Sequence, residues 1–175
     1  MDLKATIREV PNFPKEGILF FDVTTLFLNP QALESATTQL ADHFRDHRAD
    51  VVLGIESRGF VVGALVAQKL GLGLGLLRKP GKLPYRTVRE EYSLEYGTDS
   101  LEMHVDAVPA GKKALIIDDL LATGGTVNAV CNLVERVGGK VVGCGFIIEL
   151  DFLNGREKLE GREVFSLVHY ASEAM

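Results

Sequence analysis

Apolar runs alternate with amphipathic stretches through the middle of the chain. Runs rich in Val, Ile and Leu predict strands, and apolar residues that recur at spacings of three and four predict helices between them. The predicted strands are 51–55, 72–77, 114–117 and 141–150, and the predicted helices are 60–70 and 126–137. Continuous apolar strands that alternate with helices indicate an α/β fold with a mostly parallel central sheet flanked by helices. Ligands of such sheets bind at the carboxyl ends of the strands.

Two segments do not follow this alternation. Residues 11–23 are rich in turn-forming and aromatic residues. Residues 79–104 form a long charged stretch, in which we predict a hairpin with strands 92–96 and 101–105 joined by a turn at 97–100. A stretch of this length between core strands is usually a functional lid or a disordered segment.

Three glycines at positions 71, 73 and 75 are similar to a dinucleotide-binding pattern. The pattern is incomplete, because position 76 is Leu and the stretch precedes a strand instead of opening a helix. We interpret it as a helix stop followed by a strand with close backbone packing.

The length and charge of the chain exclude several classes of protein. Its 175 residues suit a single domain, 1–175, and 46% apolar with 25% charged residues is the composition of a soluble globule. No apolar stretch reaches the roughly 18 residues of a membrane span, and the first ten residues do not resemble a signal peptide. The net charge of −5 provides no broad field for nucleic acid or anionic lipid, so we expect neither as a partner.

The cysteines and histidines show no metal-ligand spacing. Cys131 and Cys144 stand in apolar surroundings, which favours two buried free thiols in a reducing, cytoplasmic compartment. His43 and His47 are one helical turn apart in a charged stretch, which we interpret as a solvated helix face instead of a metal site.

The strongest chemical signal is the segment 114–126, in which an apolar strand ends in Asp118 and Asp119 and two glycines precede a helix. Glycine lets backbone amides approach an anion, and a helix N-terminus presents unpaired N–H groups. A phosphate cradle is therefore predicted from Ala122, Thr123, Gly124, Gly125 and Thr126. It is not a Walker loop, because the lysine is missing. Carboxylates repel phosphate but accept hydrogen bonds from vicinal hydroxyls, so the acid pair favours a ribose 5-phosphate.

Four segments, in order, resemble those of the type I phosphoribosyltransferases, and most of all the members that use adenine. They are Ser57–Phe60, Arg78–Pro84, Glu91–Glu102 and Ile116–Thr126. The resemblance spans nearly the whole chain. It implies transfer of the ribosyl phosphate of phosphoribosyl pyrophosphate to a nitrogen base, with Mg²⁺ and release of pyrophosphate, in a homodimer. It also implies a small N-terminal hood over the base, 1–25, and a flexible lid, 79–104.

Basic residues at two places suit the pyrophosphate. Arg58 follows strand 51–55 at its carboxyl end, where the resemblance implies a pyrophosphate contact. The stretch 78–89 contains five basic residues and no acid. Against the alternative of a solvated charged loop, we interpret it as a mobile arm that brings Lys79 and Lys82 to the pyrophosphate and excludes water.

The expected catalytic residues are Glu95, Arg58, Lys82 and Tyr96. The resemblance implies that Glu95 and Tyr96 reach the reacting centre when the lid closes. A purine that attacks the ribose changes its protonation, and the Glu95 carboxyl can exchange that proton. No protein ligand to metal is predicted, because substrate phosphates and water can fill most of the Mg²⁺ octahedron.

The base is predicted to be adenine, held in a slot between residues 13–21 and the phosphate loop. A purine needs two apolar walls, for which Phe20 and Leu120 are candidates, although an ordinary core strand also explains the apolar run. Backbone groups of Leu19 and Phe21 can read the adenine amine and ring nitrogen. The family usually has arginine at the position of Phe21.

Two alternatives stay open. The acceptor can be another purine, namely hypoxanthine, guanine or xanthine. The chain can also be a non-catalytic regulator that senses phosphoribosyl pyrophosphate, but such regulators usually carry a DNA-binding module, and no segment here is left to form one.

Overall fold

A computed structural model of the protein describes residues 1–94 and 97–172. Its helices are α1 Thr24–Leu28, α2 Pro30–Phe44, α3 Arg58–Leu70 and α4 Gly125–Arg136. Its strands are β1 Arg8–Pro11, β2 Leu19–Asp22, β3 Val51–Ile55, β4 Gly73–Leu77, β5 Thr87–Ser93, β6 Thr98–His104, β7 Lys113–Leu121, β8 Lys140–Leu150 and β9 Val164–Tyr170. Short 3-10 helices cover Lys4–Thr6, Arg45–His47, Asp151–Leu153 and Gly155–Leu159.

Five strands form the central sheet in the order β4-β3-β7-β8-β9, and all neighbouring pairs are parallel. Side chains of β7 alternate between two buried clusters. Leu115 and Ile117 pack on the face that carries α2 and α3, whereas Ala114 and Ile116 pack on the face that carries α4. The predicted α/β fold, with a mostly parallel sheet covered on both faces, is confirmed.

Strand β7 is longer than predicted. It continues past Ile117 to Leu121, because Asp118 and Leu120 pair with Phe146 and Ile148 of β8. The two aspartates therefore stand on a strand with a fixed register and not in a loop.

Several elements had no sequence prediction, and two of them, α2 and β9, contribute to the core. Helix α2 begins where the Asn29 side chain accepts hydrogen bonds from the N–H groups of Gln31 and Ala32. Strand β9 forms the edge of the sheet beside β8. Both complete the face of the sheet that α3 covers only in part.

The glycine pattern before β4 has the predicted structural role. Gly71 ends α3 in the left-handed region, with φ of 68°. A Cβ on Gly75 would lie 2.6 Å from Cδ2 of Leu53, so this glycine allows the close approach of β4 to β3.

The hairpin of the charged segment exists, but its predicted bounds were wrong. The strands are β5 and β6, and Tyr92 lies opposite Asp99. Polar residues 98–100 were assigned to the turn, yet Asp99 is a strand residue whose carboxylate accepts hydrogen bonds from Lys79 and Tyr92. Leu101 and Met103 of β6 are buried, so the body of the hairpin belongs to the core. Mobility of the segment 79–104 stays a prediction.

The histidine pair lies in an aromatic cluster and not on a solvated face. The His43 ring stacks on Phe165 at 3.7 Å between centroids, and its Nε2 lies 2.9 Å from Glu163 Oε1. Both histidines are half-buried. The prediction failed because the covering residues come from the unpredicted strand β9.

Two further predictions concern the cysteines and membrane-spanning segments. Cys131 and Cys144 are both buried free thiols, as predicted. Among the described residues, no helix has the length and apolar character needed to cross a membrane.

Candidate active site

The predicted site residues meet at the carboxyl edge of the sheet. Strand β3 leads through Glu56 and Ser57 into α3, which begins at Arg58. Strand β7 leads through a three-residue loop into α4. Because β3 and β7 are parallel neighbours, Arg58 and the aspartates of β7 lie side by side.

The phosphate loop lines two adjoining cavities. The larger cavity, of about 540 Å³, is bounded by Thr123, Gly125, Thr126 and Lys158, and by residues 92–94 of the hairpin. The smaller, of about 80 Å³, runs along residues 120–124. Gly124 caps α4 with φ of 81°, a conformation that favours glycine. The structure thus brings together all five residues predicted for the cradle.

A second glycine fixes the position of this loop. A Cβ on Gly124 would lie 2.4 Å from the carbonyl oxygen of Gly155, and a Cβ on Gly155 would lie 2.3 Å from that of Ala122. The loop and the segment Gly155–Leu159 therefore touch backbone to backbone, which only glycine permits at these two positions. This contact holds the cradle in place.

The acid pair lines a separate cavity of about 290 Å³, together with Arg58, Lys79 and Leu120. Asp119 is buried, and its Oδ2 accepts a hydrogen bond from Arg58 Nε at 2.5 Å. Asp118 Oδ1 accepts one from the Asp119 backbone N–H at 2.9 Å. Burial, with the charge of Asp119 beside it, raises the pKa of Asp118 well above its ordinary value of 3.8.

The predicted pyrophosphate ligands are each bound to a carboxylate of the protein. Arg58 pairs with Asp119, Lys79 with Asp99, and Lys82 with Glu56 at 2.5 Å. Both lysines are therefore already paired in the absence of a ligand.

Glu56 holds more than one partner. Its side chain is 12% exposed and also accepts a hydrogen bond from the backbone N–H of Lys79 at 2.8 Å. Burial opposes ionisation of Glu56, but the hydrogen bonds from Lys82 and from the Lys79 N–H outweigh it and lower its pKa below 4.5. Glu56 is therefore an anionic anchor for the basic arm.

The predicted base-binding residues divide into two groups. Phe20 is half-buried, with its ring centroid 5.1 Å from that of Phe13 and 5.9 Å from the Arg58 guanidinium. Leu120 lines the cavities on both sides of the acid pair. The side chains of Leu19 and Phe21 point into the core, where they are 7% and 4% exposed.

The side chain of Phe21, which stands where the family usually has arginine, packs in the core and does not face the site. Its ring stacks on Tyr170 at 3.7 Å between centroids. Within the described residues β2 pairs with β1 alone, so its second edge presents unpaired backbone groups. Those groups are what the predicted reading of adenine by Leu19 and Phe21 requires.

Two predicted catalytic residues, Glu95 and Tyr96, lie outside the described residues. Conversely, Lys158 had no prediction, although it lines the same cavity as the phosphate loop. Its neighbours 156–160 alternate in charge and look like an ordinary solvated surface. The packing of Gly155 on the loop helps to bring this lysine to the site.

Comparison with known proteins agrees with this geometry. The sequence profile described as the phosphoribosyl transferase domain matches residues 22–167. The chain therefore belongs to the phosphoribosyltransferase family. Within this family it is 56% identical over 169 residues to the adenine phosphoribosyltransferase of Solibacter usitatus, a match that covers 97% of this chain and 98% of that relative. It is 54% identical over 168 residues to that of Methylococcus capsulatus, covering 96% and 98%.

Solved structures give the same result. The adenine phosphoribosyltransferase of Thermoanaerobacter pseudethanolicus superposes with a TM-score of 0.93 at 47% identity, covering 97% of this chain and 98% of that one. The Saccharomyces cerevisiae enzyme, solved in complex with an imino-altritol 1,6-bisphosphate and adenine, has a TM-score of 0.88 at 40% identity, covering 95% and 96%. The resemblance predicted from four sequence segments is confirmed.

Proposed function

We propose that this chain transfers the 5-phosphoribosyl group of phosphoribosyl pyrophosphate to adenine, giving AMP and pyrophosphate. The observation that carries the proposal is the meeting of the phosphate loop, the acid pair and three cations at one edge of the sheet. Relatives matched over nearly their whole length, at 50–56% identity, are adenine phosphoribosyltransferases. Their names support the choice of base.

The proposed binding mode follows the charges of the site. The 5-phosphate occupies the cradle at the N-terminus of α4, and the ribose hydroxyls face Asp118 and Asp119. The carboxylate oxygens of both residues can accept hydrogen bonds from these hydroxyls. The pyrophosphate then lies toward Arg58, Lys79 and Lys82.

The cations have a specific task in this reaction. When the bond at ribose C1 breaks, negative charge grows on the departing pyrophosphate. Donors fixed around that charge lower the barrier. Arg58 is fixed by Asp119, whereas Lys79 and Lys82 must exchange Asp99 and Glu56 for the substrate. The segment 79–104 is proposed to act as the lid that makes this exchange and excludes water.

Magnesium is the proposed cofactor. Asp118, Asp119 and the Thr126 hydroxyl line one cavity and offer the hard oxygen donors that Mg²⁺ prefers. We propose that these residues hold it through water, because Asp119 is already paired with Arg58. When bound, Mg²⁺ neutralises charge on the pyrophosphate.

Adenine is proposed to lie between the ring of Phe20 and the side chain of Leu120, under a hood formed by residues 1–25. Backbone groups of β2 at Leu19 and Phe21 read the amine and ring nitrogen. Glu95 exchanges a proton with the base, and Tyr96 reaches the same centre when the lid closes. The packing of Phe21 on Tyr170 leaves base recognition to the backbone.

Assembly and location are part of the same proposal. The family resemblance supports a homodimer, which light scattering after size-exclusion chromatography would measure. Two buried free thiols suit a reducing, cytoplasmic compartment.

A base panel tests the function. Adenine, hypoxanthine, guanine and xanthine would each be incubated with phosphoribosyl pyrophosphate and Mg²⁺, and nucleotide and pyrophosphate would be measured. Adenine should give the highest kcat/KM by at least about a hundredfold, because buried groups left unpaired penalise the wrong base. A preference for another purine would overturn the base assignment. Binding of the sugar without turnover of any base would instead favour the regulator.

A further inference from the structure

The phosphate loop supplies hydrogen-bond donors but no cationic side chain. Residues 122–126 are Ala, Thr, Gly, Gly and Thr. Two carboxyl groups stand close by on β7, and the chain as a whole carries a net charge of −5. A phosphate dianion in this cradle therefore meets little compensating charge from the loop itself.

We propose that Lys158 supplies the missing charge and is a binding residue for the 5-phosphate, an inference that rests on the proposed function. Lys158 bounds the same cavity as Thr123, Gly125 and Thr126. A Cβ on Gly125 would lie 3.8 Å from Lys158 Nζ. The ammonium group is therefore next to the first residue of α4, where the unpaired N–H groups of the helix converge.

The segment that carries Lys158 is fixed by three contacts. Gly155 touches the backbone of Gly124 and Ala122. Arg156 forms two hydrogen bonds to the buried carboxylate of Glu149, at 2.6 and 2.9 Å. Leu159 is 1% exposed and belongs to the core cluster around α4. These anchors place the Lys158 backbone beside the cradle before any ligand binds, which lowers the entropy cost of using its side chain.

The position of Lys158 makes a specific prediction about ligands. An ammonium at the cradle should strengthen binding of a sugar that carries the 5-phosphate and should leave the pyrophosphate side unaffected. The relevant probes are therefore AMP and adenosine, which differ only in that phosphate, and inorganic pyrophosphate, which reports on the other cations.

Calorimetry with three variants tests the proposal. Lys158→Met keeps the aliphatic stem, Lys158→Arg restores the charge, and Lys140→Met removes an exposed lysine from the amino end of β8 as a matched control. Lys158→Met should weaken AMP binding roughly 10- to 100-fold, the range of a charge-assisted hydrogen bond, and raise KM for phosphoribosyl pyrophosphate with kcat nearly unchanged. Adenosine and pyrophosphate should bind as to the parent, and Lys158→Arg should recover most of the loss.

The outcomes separate this proposal from the proposed function. Failure of the parent to form AMP would overturn the function. A parent that forms AMP, with a Lys158→Met variant that binds AMP like the parent, would overturn the role of Lys158 alone. Equal weakening of AMP, adenosine and pyrophosphate would also overturn it, since the cause would then be a general structural change.

Discussion

The two halves of the candidate site are proposed to bind anions by different means. On the 5-phosphate side the donors are backbone groups of a loop, locked by the contact between Gly124 and Gly155. On the pyrophosphate side the donors are long side chains, and Arg58, Lys79 and Lys82 are each bound to a carboxylate of the protein. The first half is ready for its proposed ligand, whereas Lys79 and Lys82 in the second half must break ion pairs to receive one.

This difference suits the order of events in the proposed reaction. The ribose 5-phosphate end does not change during transfer, so a rigid cradle can hold it throughout. The pyrophosphate must be bound, stabilised as charge develops, and then released. Carboxylates that compete for the same cations favour release of the pyrophosphate, because the ion pairs within the protein can form again when it leaves.

The largest effect is expected at Glu95, in the proposed lid. Glu95→Gln should lower kcat by about 10²–10⁴-fold, with a far smaller change in KM for the sugar substrate, because general acid–base catalysis contributes that much. Steady-state kinetics would measure both constants. Glu91→Gln is the matched control, since Glu91 is an exposed glutamate on the same hairpin. Parental turnover of the Glu95 variant would remove this residue from the mechanism.

The next effect tests the rigid half. Gly125→Val should weaken binding of phosphoribosyl pyrophosphate by at least about a hundredfold, because the side chain displaces the anion from the amides. The fold should survive, since a Cβ there meets only ordinary contacts, the nearest at 3.8 Å. Calorimetry measures binding, and Gly73→Val, whose Cβ meets nothing within 4 Å, is the control. If the variant bound the sugar like the parent, the loop would not be the phosphate site.

A smaller effect tests the competition between carboxylate and substrate. Glu56→Gln should lower KM for phosphoribosyl pyrophosphate about two- to fivefold, because Lys82 no longer has to leave an ion pair of roughly 1 kcal/mol. Asp42→Asn, which breaks a surface pair with Arg45, should leave KM unchanged. A rise in KM for the Glu56 variant would mean that this carboxylate assists the substrate instead of competing with it.

The smallest effect concerns stability and pH. Because the folded state raises the pKa of Asp118, protonation of this carboxyl group stabilises the folded state; the contribution is complete below pH 3.8 and is lost as pH rises through the higher folded pKa. Asp118→Asn should therefore raise the free energy of unfolding at pH 7 by about 1 kcal/mol, measured by urea unfolding. This gain should shrink toward pH 3. Asp119→Asn breaks the pair with Arg58 and should change stability at pH 7 in the opposite sense. Equal shifts for both variants would contradict the raised pKa of Asp118.

The sequence predicted the parts of the molecule that are continuous along the chain. The strand, acid pair, glycine loop and helix of 114–137 are neighbours in sequence, so local patterns describe them well. The turn of the hairpin was misplaced because Asp99 is held in its strand by Lys79, a contact across 20 residues.

Contacts between residues far apart in the sequence were not predicted, because local patterns do not show which distant segments pack together. Lys158 looks like a surface residue until Gly155 meets Gly124. The aromatic environment of His43 depends on Phe165, on a strand that was not predicted. Likewise, nothing in the sequence around Phe21 predicts that its ring stacks on Tyr170.

The stack of Phe21 on Tyr170 has a consequence for biosynthesis. Its two rings lie on β2 and β9, so the ribosome makes Tyr170 long after it makes Phe21. At roughly 5–20 residues per second, Phe21 waits on the order of ten seconds for its partner. During that interval the apolar strand β2 lacks its cover and is a natural target for chaperones that bind nascent chains. Strand β2 therefore reaches its final packing only after β9 has been made.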